Sequence, residues 1–212
     1  MEDLPKFREE YSKGHLAERD MLSDPMQQFT SWLQFAIDSQ LTESNAMILA
    51  TSTSKGIPSA RVVLLKGINE SGFIFFTNYL SRKGRELLEN PFASLVFDWH
   101  EIERQVRIEG RVQKISDTES DAYFQSRPKN AKIGAWASPQ SKIIENRNQL
   151  EAMQQSFEKK WQENSIPRPS HWGGFIVLPT TIEFWQGRLN RLHDRIAYYK
   201  TEEGWSLHRL AP

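Results

Sequence analysis

The chain has 212 residues, with 27 Lys and Arg balanced by 27 Asp and Glu, and it contains no cysteine. This length suits one large domain or two small ones with a real core. Zero net charge argues against a general nucleic-acid binder, which usually carries a basic excess, and the lack of cysteine excludes disulfides and thiolate-ligated metals.

The N-terminal region is the first feature along the chain. Residues 1–23 are polar and of mixed charge without periodicity, which predicts a flexible arm before a single domain at 24–212. The N-terminus lacks the apolar region of a secretory signal, and no apolar run approaches the roughly 20 residues needed to span a bilayer. We therefore expect a cytoplasmic protein with no membrane partner.

The predicted elements follow from apolar spacing. Asp24-Pro25 predicts the start of a helix that ends near Leu41. Later segments predict helices at 81–89, 117–126, 129–137 and about 142–164, and strands at 46–51, 59–66, 73–77, 93–99, 105–115, 172–177, 181–185, 196–200 and 205–210. Many short strands with peripheral helices favour a small closed barrel in an α+β, mainly β, domain.

Two cations open one of these helices. Arg82 and Lys83 follow Ser81 at a helix start, where the macrodipole is positive and favours acidic side chains. A phosphate placed there would use the free N–H groups, the dipole and both side chains. The alternative is that both cations are simply solvated.

Other candidate anion contacts are weaker. Arg61 and Lys66 bracket an apolar strand, and on an unbroken strand they would point to opposite faces and serve different partners. Tyr123 and Arg127 lie four residues apart at a helix end, where they could reach one anion together, although a cation is favoured there on dipole grounds alone. Ser141 is a candidate N-cap of the long helix.

The segment from Glu183 to Arg195, EFWQGRLNRLHDR, is the richest in the chain. Arg188, Arg191 and Arg195 crowd around His193, and convergent cations beside an aromatic strand end suit an anionic, planar ligand. A lone histidine is still more often structural. The histidines never pair at a four-residue spacing and HExxH is absent, so we expect no metal site.

Taken together, these segments resemble the pyridoxine (pyridoxamine) 5'-phosphate oxidase family. The resemblance runs in order through most of the chain, in the blocks REEY (8–11), RVVLLK (61–66), FFTN (75–78), SRKG (81–84), WHEIERQVRIEG (99–110), YFQSRP (123–128), IGAWASPQS (133–141), HWGGF (171–175), IEFWQGRLNRLHDR (182–195) and RLAP (209–212). Each block alone is weak, but ten collinear blocks are specific.

The resemblance implies a split β-barrel homodimer that binds FMN at the subunit interface. It implies oxidation of pyridoxine or pyridoxamine 5'-phosphate to pyridoxal 5'-phosphate, with O2 yielding H2O2 and with NH3 released from the amine. The implied FMN contacts are Arg61, Lys66, Phe76, Thr77, Arg82, Lys83, Gln105, Gln140, Ser141, Trp185 and Arg195. The implied substrate contacts are Arg8, Tyr11, Lys66, Tyr123, Arg127, Arg191 and His193, with Arg8 and Tyr11 in an arm that folds over the substrate.

Arg191 and His193 are the expected catalytic pair. Guanidinium stays protonated in proteins, so Arg191 would orient the substrate and stabilise charge. His193 has the better pKa for proton transfer, and the alternative is that it only binds phosphate or positions Arg191. The sequence departs from the family at Ala131, where a serine often binds the substrate phosphate, and we expect weaker binding or a replacement contact there. Two alternatives are a split-barrel flavin- or haem-binding protein without B6 activity and an oligonucleotide-binding barrel.

Overall fold

The computed structural model describes residues 10–161 and 165–212. These residues form one antiparallel sheet with helices packed around it. The helices are α1 (Pro25–Asp38), α2 (Arg82–Glu89), α3 (Asp117–Ser126), α4 (Lys129–Ala137) and α5 (Arg147–Lys160). The strands are β1 (Ala46–Ser52), β2 (Pro58–Leu64), β3 (Gly67–Asn69), β4 (Gly72–Asn78), β5 (Phe92–Trp99), β6 (Arg104–Lys114), β7 (Trp172–Gln186), β8 (Asp194–Thr201) and β9 (Gly204–Leu210).

The sheet order is β2-β1-β5-β6-β7-β4-β3. In addition, β8 pairs with β7, and β9 pairs with β8. Along one side, β7 pairs with β4 through its first half and with β8 through its second half, while β6 covers its other side. The predicted mainly-β split-barrel class is confirmed. The expectation of a closed barrel is wrong, because no strand pair among the described residues closes the sheet between its ends.

Strand β7 corrects the prediction of two separate strands. It runs unbroken through Pro179, which lacks the N–H that a ladder needs. The register of β6 against β7 shifts between Glu109 and Gly110, opposite this proline. Gly110 is required there, because a Cβ would lie 2.1 Å from the Leu178 carbonyl oxygen. A bulge therefore lets one long strand pass a residue that would otherwise end it.

Helix α1 closes the main core. Asp24 caps it by accepting the Met26 N–H, as predicted, although the helix ends at Asp38 rather than near Leu41. Its buried Phe29 and Trp32 meet the sheet edge-on, with ring centroids 4.9 Å from Phe73 and 5.1 Å from Phe184 respectively. Such aromatic contacts add to the burial of apolar area that holds the helix on the sheet.

A second, smaller core lies under α3, α4 and α5. Phe124, Ile133, Ile166 and Trp172 are its buried members. The long helix of this region begins at Arg147 rather than near 142, because its N-cap is Asn146, which accepts the Gln149 N–H. The prediction of Ser141 as the N-cap is therefore wrong.

Two shorter segments bear on the site. Strand β2 ends at Leu64, so Lys66 lies beyond the strand that was predicted to contain it.

Leu16, in the described part of the N-terminal region, is 5% exposed and belongs to the main core. Within the described ranges, no helix combines the length and apolar character needed to cross a membrane.

Candidate functional site

A cavity of about 470 Å³ lies between the sheet and helices α3 and α4. Among its lining residues are seven that the sequence singled out, together with Ala131 and Trp172: Lys66, Phe76, Thr77, Lys83, Tyr123, Arg127 and Gln140. They come from β4, α2, α3 and the loops after β2 and α4. The fold thus gathers residues that are up to 106 positions apart, from Lys66 to Trp172, around one space.

One wall of the cavity is aromatic. The Phe76 ring stacks on Tyr123 at a centroid distance of 3.8 Å and on Trp172 at 5.4 Å, nearly parallel in both cases. Sequence reasoning did not assign Trp172 a role, although it lies in the HWGGF block. A flat aromatic wall of this kind suits a planar ligand.

Arg127 is the most distinctive cation in the cavity. Its guanidinium carbon lies 4.6 Å above the Trp172 ring, and its buried Nη1 has no hydrogen-bond partner among the described residues. Burial lowers the pKa of Arg127, while the neighbouring Tyr123 raises it. A buried N–H without a partner is costly, so this atom would be satisfied by an anion in the cavity.

Lys83 brings a second cation into the same space. Its Nζ lies 3.3 Å from Thr77 Oγ1 and 3.4 Å from Gln140 Oε1. Burial, and secondarily the charge of Arg61, lower the pKa of Lys83. Ser141, beside Gln140, is exposed with a left-handed φ of 68° and does not line the cavity.

Arg61 and Arg82, two more of the predicted FMN contacts, share a carboxylate. Arg82 Nε lies 2.8 Å from Glu86 Oε1, and Arg61 Nη2 lies 3.6 Å from Glu86 Oε2. Burial raises the pKa of Glu86, but hydrogen bonds from Ser59, Thr51 and Arg82 outweigh it and lower the pKa to about 2. Sequence reasoning missed Glu86, although its spacing of four residues from Arg82 was an available signal.

The remaining predicted residues form a second group, at the far end of β7. Gln105, Trp185 and Arg195 are aligned across β6, β7 and β8. Arg195 is held by Glu183, with Nε 2.7 Å from Oε1 and Nη2 3.1 Å from Oε2. This bidentate pair fixes the guanidinium beside Trp185.

His193 lies against the same tryptophan. Its ring centroid is 4.7 Å from Trp185 and 5.4 Å from Tyr11. Its Nδ1 accepts the Arg188 backbone N–H at 3.1 Å, so the neutral ring carries its proton on Nε2. Burial, and then the charge of Arg191, lower the pKa of His193.

Arg191 lies in a strained turn. Asn190 and Arg191 both have left-handed backbones, with φ of 56° and 59°, a conformation that costs of order 1 kcal/mol or more for each non-glycine residue. Arg191 is exposed, and within residues 10–161 and 165–212 it has no hydrogen-bond or ion-pair partner. The turn therefore presents a free guanidinium next to His193.

The two groups do not meet within one chain. Trp172 borders the cavity and Trp185 belongs to the second group, and a strand rises about 3.3 Å per residue, which places them roughly 40 Å apart along β7. Lys66, Tyr123 and Arg127 are thus separated from the other predicted substrate contacts, which are Tyr11, Arg191 and His193. Arg8, the last of these, lies outside the described residues.

Comparison with known protein families gives two matches, which together cover most of the chain. Residues 33–159 match the model described as "Pyridoxamine 5'-phosphate oxidase", and residues 172–212 match "Pyridoxine 5'-phosphate oxidase C-terminal dimerisation region". The chain belongs to the pyridoxamine 5'-phosphate oxidase family. The family resemblance noted in the sequence is thereby confirmed.

Individual relatives extend this match to the full length. The pyridoxine/pyridoxamine 5'-phosphate oxidase of Trichormus variabilis is 55% identical over 99% of this chain and 98% of its own. That of Paraburkholderia phymatum is also 55% identical, with both chains fully covered. The solved structure of PhzG from Burkholderia lata 383, in complex with tetrahydrophenazine-1-carboxylic acid, has a TM-score of 0.88 and 32% identity over 93% of this chain and 98% of its own.

The electrostatics of His193 lead to a prediction. We expect NMR titration to give His193 a pKa below 6.5, and Arg191→Ala to raise it part of the way back, since burial remains. The neutral ring is favoured in the folded state, so this contribution to stability is complete above about pH 6.5 and is lost as the pH falls. Arg147→Ala, on remote α5, should leave the titration unchanged; a pKa that ignores Arg191→Ala would contradict the assignment.

Proposed function

We propose that the protein is an FMN-dependent oxidase that converts pyridoxine 5'-phosphate or pyridoxamine 5'-phosphate to pyridoxal 5'-phosphate, with O2 as electron acceptor. The products would include H2O2 and, from the amine, NH3. The observation that carries the proposal is the buried Nη1 of Arg127, which has no hydrogen-bond partner in the described part of the chain and lies in a cavity that also contains Lys66 and Tyr123. Full-length relatives named for this activity support it.

The cavity fits FMN in its chemistry. Bound FMN supplies the two-electron redox chemistry. Arg61, Arg82 and Lys83 would hold its phosphate, since Lys83 has no carboxylate partner among the described residues and Glu86 orients the two arginines. Phe76, Thr77 and Gln140, with Ser141 beside them, would border the ring system from the same protomer.

A homodimer would complete this site. The family match includes a dimerisation region at 172–212. Val62 and Ile48 face each other across β2 and β1, and their side chains are 66% and 40% exposed, which is typical of an apolar face that another chain covers. We propose that the cavity of one protomer meets Gln105, Trp185 and Arg195 of its partner.

The substrate would bind between the same two surfaces. Lys66, Tyr123 and Arg127 would hold its phosphate, and Arg191 and His193 of the partner would face its reacting carbon. Because Nδ1 of His193 already accepts a hydrogen bond, the ring offers a donor at Nε2, which would orient the substrate oxygen or amine. Arg191 would stabilise developing negative charge. Arg8 and Tyr11 would cover the bound substrate.

The direct test is reconstitution with FMN. We expect the purified protein to acquire a flavin spectrum and to convert pyridoxine 5'-phosphate into pyridoxal 5'-phosphate with matching formation of H2O2. Arg127→Ala should raise KM at least about tenfold, because a charged hydrogen bond to phosphate is lost, while Arg147→Ala should not. Failure to bind FMN, or an FMN-loaded protein that produces no peroxide with this substrate, would refute the proposal.

The shared site makes a sharper prediction. At substrate concentrations well below KM, Arg127→Ala and Arg191→Ala homodimers should each retain about one tenth of wild-type activity or less, and mixing them under conditions that exchange subunits should recover about one quarter of wild-type activity. Half of the dimers would then be mixed, and each mixed dimer would contain one intact site and one doubly altered site. Activity that stays at the sum of the separate variants would contradict a site built from two protomers.

Ala131 gives a prediction about affinity. It lines the cavity from α4, four residues after Arg127 along the chain, so a hydroxyl at this position could donate to the substrate phosphate. We expect Ala131→Ser to lower KM about two- to tenfold with little change in kcat, as one added hydrogen bond would. Pyridoxine without phosphate is the matched control, and an equal gain with it would rule out a phosphate contact.

A further inference from the structure

Arg209, in the C-terminal RLAP block, joins the two ends of the chain. Its Nε and Nη2 bind Glu18 Oε1 and Oε2 at 2.8 and 2.9 Å. Its Nη1 donates to Asp194 Oδ1 at 2.8 Å, and Nη2 also donates to the Leu16 carbonyl at 3.1 Å. One guanidinium thus binds two carboxylates and a backbone carbonyl, and we call these four residues the Arg209 clamp.

Asp194 connects the clamp to the candidate site. Its Oδ2 accepts the Leu16 N–H at 3.0 Å and lies 3.5 Å from Arg188 Nη1. Asp194 directly follows His193, and the Arg188 backbone N–H is the donor to His193. The Asp194 carboxylate that accepts from Arg209 therefore also fixes the turn around His193, because Asp194 follows His193 directly and pairs with Arg188.

The N-terminal segment is placed by the same contacts. Leu16 is buried, and three residues earlier the Lys13 N–H donates to Glu103 Oε2 at 2.8 Å. Between this anchor and the chain end, Tyr11 packs so closely on Gly187 that a Cβ there would lie 2.8 Å from it. Tyr11 consequently lies edge-on to His193 and Trp185.

We propose that Arg209 is a positioning residue for the substrate, which keeps Tyr11 and His193 in one fixed arrangement by clamping the N-terminal segment onto the β8–β9 hairpin. The inference rests on the proposed function, since Tyr11 and His193 are its substrate contacts. A single exposed ion pair would contribute little. Arg209 differs because a bidentate fork and two further bonds fix its geometry, and a pre-ordered segment spares the substrate the entropic cost of ordering it.

The clamp persists at neutral pH. The hydrogen bond from Arg209 is the largest influence on Glu18, and it lowers the pKa of that carboxyl from 4.5 to about 2. A carboxylate with a lowered pKa contributes fully above its ordinary value and loses the contribution as the pH falls through the lowered one. The experiment can therefore be run under ordinary assay conditions.

The test combines hydrogen exchange with kinetics on the FMN-loaded protein. In Arg209→Ala we expect the Leu16 amide to exchange at least about tenfold faster, and KM for pyridoxine 5'-phosphate to rise about tenfold with kcat changed less than about twofold. The Kd for FMN should stay within about twofold, because the cations of the cavity are unchanged. Arg147→Ala, which breaks the exposed Arg147–Glu151 pair on α5, is the matched control and should behave as wild type.

Two further variants keep the test decisive. Arg209→Lys retains the charge but loses the fork, and Glu18→Gln retains the Asp194 contact; both should give smaller shifts in the same two readouts, and they replace Arg209→Ala if it does not fold. Unchanged Leu16 exchange would overturn the clamp, and faster exchange with unchanged KM would overturn its role in positioning substrate. A wild-type protein that binds no FMN would refute the proposed function, and the exchange measurement would still decide whether Arg209 clamps the segment.

Discussion

The length of strand β7 is the constraint on which the rest of the structure depends. It is a continuous strand of 15 residues, and it is long enough to pair with β4 at one end and with β8 at the other. The cavity and the His193 turn are therefore built at opposite ends of one rigid element. Because a strand cannot fold back on itself, the two groups stay apart within one chain, and the proposed function requires a second copy of the chain to bring them together.

The arginines of this molecule differ in how completely neighbouring carboxylates neutralise their charge. Arg195 is bound bidentately by Glu183, and Arg61 and Arg82 share the buried Glu86. Arg127 Nη1 is buried without a hydrogen-bond partner among the described residues. Unsatisfied buried donors are uncommon in native proteins, so the buried Nη1 of Arg127 indicates that an anion binds beside it in the cavity.

Much of the fold follows from local sequence. Alternating apolar residues place most strands within a few residues of their observed bounds, and Asp24 and Ser81 are N-caps as their positions suggest. The failures have physical causes. The sequence predicts two strands at 172–177 and 181–185, but β7 continues past Pro179, because a bulge in β7 leaves Thr180 without a register partner on β6. The start of α5 was missed because Ser141 and Asn146 are both plausible caps, and only the tertiary backbone, left-handed at Ser141, excludes the first.

The candidate site divides in the same way. Sequence by itself determined which residues are candidates for the chemistry, because blocks such as SRKG and RLHDR carry the cations and the imidazole that suit an anionic ligand and also carry the family resemblance. Tertiary structure alone decided how they are grouped: Lys66, Tyr123 and Arg127 around a cavity, and Tyr11, Arg191 and His193 at the other end of β7. The role of Arg209 also emerged only there, since its long-range hydrogen bonds leave no periodic trace in a sequence, whereas Glu86 has a local signal in its four-residue spacing from Arg82. The chemical type of each side chain can be read from the sequence at one position. Which side chains lie close together depends on strand pairing between residues that are distant along the chain.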